Sequence, residues 1–418
     1  MNRLALIVLI ATWSVAAAAA APARAGGSHL QVADDTVEVD TSALSPDSLY
    51  ALRTPDASLL DDPFVRTTGK DGLDHLYDLE FEAARALFNQ IDERYPNHPI
   101  GPFLKGLNLW WKILLDLPDT SHDEAFYRQM NEVIDRCNAL LDENPDHFDA
   151  AFFKGAALGF RGRLRSNRSN WLRAAYDGKR AIGYVRDIAE RAPNNNDYVF
   201  GKGMYDYYAA IIPEEYPVSK PVMWMMPDGD KERGLSLIRR SAEKGWYIRT
   251  EATYFLTQIH YLYENNFSKA RRYAGWLREE HPNNAYFHVL EGRVYAKWGR
   301  WDRVASIFRE VVDRHEAGRT GYNAHMAQVA RFFLSRAALY QNRFRDALTH
   351  LADLERLTKG DDTAAEYRVV GYLYQGMVYD ALGRRSMAVS RYKTVLALED
   401  HWDAHKRARN YLTEPYGG

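Results

Sequence analysis

Cysteine is almost absent from this chain. Cys137 is the only one in 418 residues, so no intrachain disulfide can form. It falls on the apolar face of a helical pattern, where a buried, inert thiol is expected. An excess of one charge is also missing: 54 Lys and Arg face 56 Asp and Glu. Arg3 and Arg24 are the only charged residues in the first 25 positions, and setting them aside leaves 52 against 56. That near balance argues against a dedicated nucleic-acid binder, whose footprint is strongly basic. Catalytic signatures are lacking as well. There is no Gly-x-Ser-x-Gly or Walker motif, and Cys137 lies in no recognised nucleophile context. Gly201-x-Gly203 follows no strand and has no third glycine, so it is not a dinucleotide loop. Beyond residue 25 no apolar run is long enough to span a bilayer. These absences lead to the expectation of a protein that is not an enzyme and carries no cofactor.

What is present begins with an export-type leader. Arg3 precedes an apolar stretch from Leu4 to Ala21, and Ala23-Arg24-Ala25 matches a signal-peptidase site. Residues 1–25 are therefore expected to be a cleaved signal peptide, and the mature protein to be periplasmic or secreted. Residues 26–68 are polar, rich in Asp, Ser, Thr and Pro, and lack a helical period; they read as an extended or disordered arm. From Gly69 to about residue 414 the pattern is helix after helix.

A repeat organises that region. Tyr261, Phe267, Ala270 and Leu277 recur as Tyr295, Trp301, Val304 and Val311, each 34 residues on. The same scheme returns as Gly376, Tyr379, Gly383, Ala388, Tyr392 and Val395, and at the start as Gly72, Phe81, Ala84, Phe88, Ile91 and Pro96. A small residue late in the first helix admits the second helix closely, an aromatic follows it, and Gly299 or Gly383 ends the first helix with a left-handed cap. A 34-residue helix–turn–helix period is that of the tetratricopeptide repeat (TPR). Prolines close several units. Pro96 to Pro145 is 49 residues and Pro145 to Pro193 is 48, which predicts lengthened helices or an inserted hairpin in the second and third pairs. Pro193 to Pro282 is 89, and the excess over two units falls on Ile211–Asp230, whose four prolines predict an irregular insert. Eight antiparallel helix pairs and a short final helix from about Trp402 to Leu412 are expected.

The region from about 69 to 414 thus resembles the TPR superfamily, which implies an all-α, right-handed superhelix and brings no catalytic residues. YDLEFEAARALF at 77–88, the Gly-Leu-Asn-Leu-Trp-Trp run at 106–111 and the series from Phe153 also resemble a narrower group. These are exported bacterial TPR proteins distantly similar to the tetratricopeptide-repeat-39 and inclusion-body-clearance proteins. Within that group, the TPR component of a bacterial sterol transport system implies a helical bundle with an apolar cavity.

Two features stand out as candidate binding sites. The first is basic: Arg161, Arg163, Arg165 and Arg168, continued by Arg173, Lys179, Arg180 and Arg186, against Asp177 alone between 161 and 186. It reads either as a docking patch for an anionic lipid face or acidic partner, or as a helix ridge whose acids lie opposite in space. The second is the insert, with Tyr216, Met223, Trp224, Met225 and Met226. Burying such side chains is worth roughly 1.5–3 kcal/mol each, so the segment must pack on the superhelix, a ligand or a membrane. Trp110, Trp111 and Trp171 could line the same hollow or belong to the core. His401 and His405 have a zinc-compatible spacing but no third ligand nearby, so surface histidines and no metal are expected. The function expected is the binding of a partner protein or envelope component in the concave groove. The alternative is a carrier of a hydrophobic small molecule, a sterol or other lipid, which a closed apolar cavity would favour.

Overall fold

The computed structural model describes residues 58–217 and 227–417. Among them are 17 α-helices, two short 3-10 turns and no strand. The helices fall into eight pairs: α1 (Pro63–Tyr77) with α2 (Phe81–Arg94), α3 (Ile100–Leu115) with α4 (Asp123–Glu143), and α5 (Phe148–Asn167) with α6 (Trp171–Arg191). Next come α7 (Val199–Glu215) with α8 (Lys231–Lys244), α9 (Arg249–Leu262) with α10 (Phe267–Glu280), and α11 (Ala285–Lys297) with α12 (Trp301–Glu316). The last pairs are α13 (Ala324–Tyr340) with α14 (Phe344–Thr358) and α15 (Ala365–Ala381) with α16 (Arg385–Leu396), followed by α17 (Ala404–Thr413).

Local chemistry sets the pairing. A Cβ on Gly292 would sit 2.6 Å from two ring carbons of Phe308, so only glycine lets α12 approach α11 this closely. Gly72 meets Phe88 and Gly376 meets Tyr392 in the same way. Gly299 and Gly383 adopt φ of +74° and +70°, ending α11 and α15 as left-handed caps that few other residues tolerate. The proline spacing is met by longer helices, not by a hairpin: α4, α5 and α6 run to 21, 20 and 21 residues.

Two boundaries differ from the sequence reading. Residues 59–68, placed in the polar arm, form a 3-10 turn and the start of α1. The Asp62 carboxylate accepts from the N–H groups of Phe64 and Val65 at 3.0 and 3.3 Å, and Pro63 occupies the first helical position. Composition had hidden that start signal. The insert begins later than expected, because 211–215 complete α7 with Pro213 in its final turn. Ile211 and Ile212 are buried with Tyr207 and Tyr208, and that packing holds the turn although Pro213 cannot donate to it. Pro227–Asp230 then return along α7: the Tyr205 hydroxyl donates to the Pro227 carbonyl at 2.6 Å, and a Cβ on Gly229 would strike the α7 backbone.

The first helices of successive pairs touch one another, α1 on α3, α3 on α5, α11 on α13 and α13 on α15, so they form the inner layer and the second helices the outer one. The superhelix also closes on itself. Asn284 Nδ2 donates to the Tyr77 carbonyl at 2.7 Å and Asn323 Nδ2 to the Leu115 carbonyl at 3.2 Å, across more than 200 positions of sequence. The Tyr247 hydroxyl donates to the Leu60 carbonyl at 2.8 Å, and Trp111 meets Phe287 edge-on at 5.2 Å. The first two pairs are thereby joined to the fifth, sixth and seventh.

Candidate functional site

Closure of the superhelix leaves a cavity of about 160 Å³ among the inner helices. Its wall is apolar because two helices turn a second hydrophobic stripe inward. Phe103, Leu107 and Trp111 come from α3 at helical spacing, and Phe152, Ala156 and Phe160 from α5. Leu73 and Tyr77 of α1, Ile188 of α6, Phe200 of α7 and Phe255 of α9 complete it.

Arg163 and Glu251 are the charged pair at this wall. The guanidinium lies 4.8 Å above Trp110 and 5.2 Å from the Phe255 ring, and Nη2 donates to the Tyr254 hydroxyl at 3.2 Å. Tyr254 in turn shares a 3.0 Å hydrogen bond with Tyr286 and accepts from Gln258 at 2.9 Å. Arg163 Nη1 stands 3.8 Å from Glu251 Oε1, close enough for an ion pair and too far for a hydrogen bond. Glu251 is 6% exposed and Oε1 has no hydrogen-bond partner. Burial raises its carboxyl to about 7 although Arg163 pulls the other way. Near neutrality Glu251 can therefore either donate or accept a hydrogen bond. Asp197, also at the wall, is committed elsewhere: Oδ1 accepts from the N–H groups of Tyr247 and Ile248 at 2.8 and 2.9 Å.

The structure distributes the sequence candidates differently from the expectation. Among the eight aromatic and methionine candidates, Trp111 lines the cavity. Trp110 is fully buried between Phe126 and Phe160 as core, and Trp171 is half-buried at the start of α6, away from the cavity wall. Tyr216 packs against the cluster formed by α7, α8 and α9. Met223, Trp224, Met225 and Met226 lie outside the described residues.

The four arginines do not make an exposed docking patch. Arg161 holds the buried Asp177 through two hydrogen bonds of 2.9 and 2.6 Å, and Arg165 reaches the same carboxylate. Arg168 binds Asp123 twice, at 2.6 and 2.8 Å, and the carbonyls of Leu117 and Asp119. Arg163 faces the cavity. The balancing acids Asp123 and Glu251 come from α4 and α9, which a count within 161–186 could not include. These four arginines are the ridge with its acids opposite in space; Arg173 and Lys179 farther along the run are exposed.

Sequence reasoning missed Glu251, Tyr254, Phe103 and Phe152. One signal was available. Helix α3, IGPFLKGLNLWWKILL, is apolar on more than one face, which a helix of the inner layer needs only when it meets both its partner and an apolar interior. Cys137 is buried on α4 and burial pushes its thiol pKa up, away from reactivity. His405 is held by the Val395 and Leu398 carbonyls at 3.1 and 2.9 Å. No helix among the described residues is long and apolar enough to cross a membrane.

No family model matches the chain, and no curated protein does. Solved structures similar to it include the human IFIT1 dimer with PPP-AAAA, at 14% identity over 76% of this chain and 68% of that one, with a TM-score of 0.42. The APC/C hetero-tetramer Cut9–Hcn1 is similar at 13% identity over 82% of this chain and 89% of that one, with a TM-score of 0.23. Overlaps of that size say nothing of ligands. The fold itself is an all-α superhelix of eight helix pairs and a terminal helix.

Proposed function

We propose that this chain is a non-enzymatic binding protein that holds an apolar small molecule with one polar end inside its closed superhelix. The observation that carries the reading is the cavity: an aromatic and aliphatic wall with Arg163 and the buried carboxyl of Glu251 on it. Ligand sites are typically apolar hollows with a few placed polar groups. A ligand hydroxyl or carboxyl oxygen set to one side of this 3.8 Å pair can bridge guanidinium and carboxyl at ordinary hydrogen-bond distances.

Size narrows the class. An apolar protein cavity of roughly 150 Å³ takes one benzene ring. At about 160 Å³ this one suits a single ring or a short acyl chain, and a whole sterol would have to extend beyond it. The leader-like residues 1–25 support a periplasmic or secreted location. Fractionation that finds a full-length species in the inner membrane would contradict that placement. The test of the function is mass spectrometry of an organic extract of purified protein, where a stoichiometric ring or short-chain lipid is expected.

A partner protein or envelope component on the concave face is the second reading. Its support is that the inner face of α9–α15 carries arginines and tyrosines of a different character from the apolar cavity. A pull-down from envelope extract would lose its partner when that face is mutated.

A further inference from the structure

Glu251 is a buried carboxyl without a donor. It is 6% exposed, its Oε1 has no hydrogen-bond partner, and Arg163 Nη1 stays 3.8 Å away. Asp149, Asp177 and Asp206 are buried more deeply, and each accepts hydrogen bonds: from the Leu59 N–H at 2.6 Å, from Arg161 and Arg165, and from Arg233 at 2.6 and 3.0 Å. An unserved acid at this depth is costly unless something else satisfies it.

The neighbouring side chains do not supply the donor. The Tyr254 hydroxyl oxygen accepts from Arg163 Nη2 at 3.2 Å and from Gln258 Nε2 at 2.9 Å, which uses both of its lone pairs. Its one proton therefore goes to Tyr286, 3.0 Å away, and not to Glu251. Arg163 is fixed in turn by that hydroxyl and by the Trp110 ring 4.8 Å beneath it. Both members of the separated pair line the cavity.

An atom that bridges this pair must donate to the carboxylate and accept from the guanidinium at once. A hydroxyl does both. A carbonyl or carboxylate oxygen only accepts, and a carboxylate adds a second negative charge beside Glu251; an ammonium only donates and would face Arg163. The body attached to the hydroxyl meets rings. Phe103 stands edge-on to Phe153 at 5.3 Å and to Phe160 at 6.0 Å, and Trp111 edge-on to Tyr77 at 5.4 Å. That wall offers edges and faces in the arrangement aromatic groups prefer, and a volume of about 160 Å³ admits one ring. We propose, resting on the cavity as a ligand site, that its occupant is a phenol or other single-ring aromatic alcohol whose hydroxyl donates to Glu251 and accepts from Arg163.

The test is calorimetric titration of full-length protein with p-cresol, p-xylene and p-toluate, which share a methylated ring and differ in the group opposite the methyl. Burial raises the Glu251 carboxyl to about 7, so at about pH 8 it is largely ionised. p-Cresol is expected to bind about tenfold to a hundredfold more tightly than p-xylene, the range for one hydrogen bond to a charged group, and more tightly than p-toluate. Glu251→Gln keeps an acceptor and removes the charge that repels a carboxylate, so the margin of p-cresol over p-toluate should shrink by about tenfold or reverse. Arg163→Met combined with Glu251→Leu removes the pair together and strands no charge. That double variant should bind p-xylene and lose the preference for p-cresol. A pair with a purely structural role would leave the order of the three probes unchanged in both variants, which overturns the proposal. If p-xylene binds and p-cresol is no tighter, or if p-toluate is the tightest in wild type, the proposal is overturned while the cavity remains a ligand site. If wild type binds none of the three, both readings fall.

Discussion

Replacing Gly292 by alanine tests the repeat packing with a single methyl group. The new Cβ would lie 2.6 Å from Cε2 and Cζ of Phe308 and 3.2 Å from Cγ2 of Ile307. Carbon atoms pack best at about 3.5–4.0 Å, so the overlap with the ring is on the order of 1 Å. Phe308 cannot swing aside freely, because it is buried and stacked on Phe333 at 4.8 Å with 3° between the planes. Overpacking of this kind costs about 1–3 kcal/mol. Alanine gains up to about 1 kcal/mol over glycine in helix propensity, so the net effect is a loss of roughly 0–2 kcal/mol. The control is Gly275 on α10, where a Cβ would meet nothing within 4 Å. There only the propensity operates, and Gly275→Ala should stabilise by about 0.5–1 kcal/mol. Urea denaturation followed by far-ultraviolet circular dichroism compares the midpoints directly. Phe308→Leu in the Gly292→Ala background should recover part of the loss. If Gly292→Ala raises the midpoint as much as Gly275→Ala does, the close approach of α12 to α11 is wrong.

Other outcomes follow from the buried charges. Asp177→Ala strands Arg161 and Arg165, and loss of one partner of a buried pair costs about 3–5 kcal/mol; a change below about 1 kcal/mol would return these arginines to a docking role. Glu251 titrates near 7 in the fold and near 4.5 when unfolded, so between those values unfolding releases a proton and stability falls as pH rises. Over that window wild type should lose up to about 3 kcal/mol relative to Glu251→Gln, read as a difference in melting temperature that widens as pH rises. Burial lowers His260, His281 and His325 to about 4. Below about 6.5 the unfolded chain binds protons that these folded imidazoles refuse, so stability should fall as pH drops from about 6.5 to 4. Triple replacement by Gln should flatten that limb of a melting-temperature profile, and an unchanged limb would contradict the assignment.

The repeat skeleton was legible because it depends on nearest neighbours. The glycine–aromatic contacts lie within one pair, and the left-handed caps at Gly299 and Gly383 are local. Proline spacing even located the longer helices α4, α5 and α6. The cavity was not legible, because it exists only where residues some 200 positions apart meet, as Asn284 does with Tyr77 and Asn323 with Leu115. The same limit left the arginine run open between two readings: within 161–186 it has one acid, whereas in the fold Arg168 meets Asp123 of α4 and Arg163 faces Glu251 of α9. Trp110 and Trp111 show how narrow the margin is. Adjacent in sequence, they point to different sides of α3, one into the core with Phe126 and the other into the cavity.

The measurement that bears most directly on the proposed function is a calorimetric titration of full-length protein with octanol, octanoic acid and indole, run beside Ala156→Trp. Ala156 lines the cavity, and an indole at that position would occupy the space a ligand needs. Wild type is expected either to release a bound lipid into organic solvent or to bind at least one probe at micromolar concentration. The tryptophan variant should retain its helix content and melting temperature and bind none. A wild-type protein that neither contains nor takes up any apolar molecule, sterols included, or a filled variant that binds as well as wild type, would contradict the account.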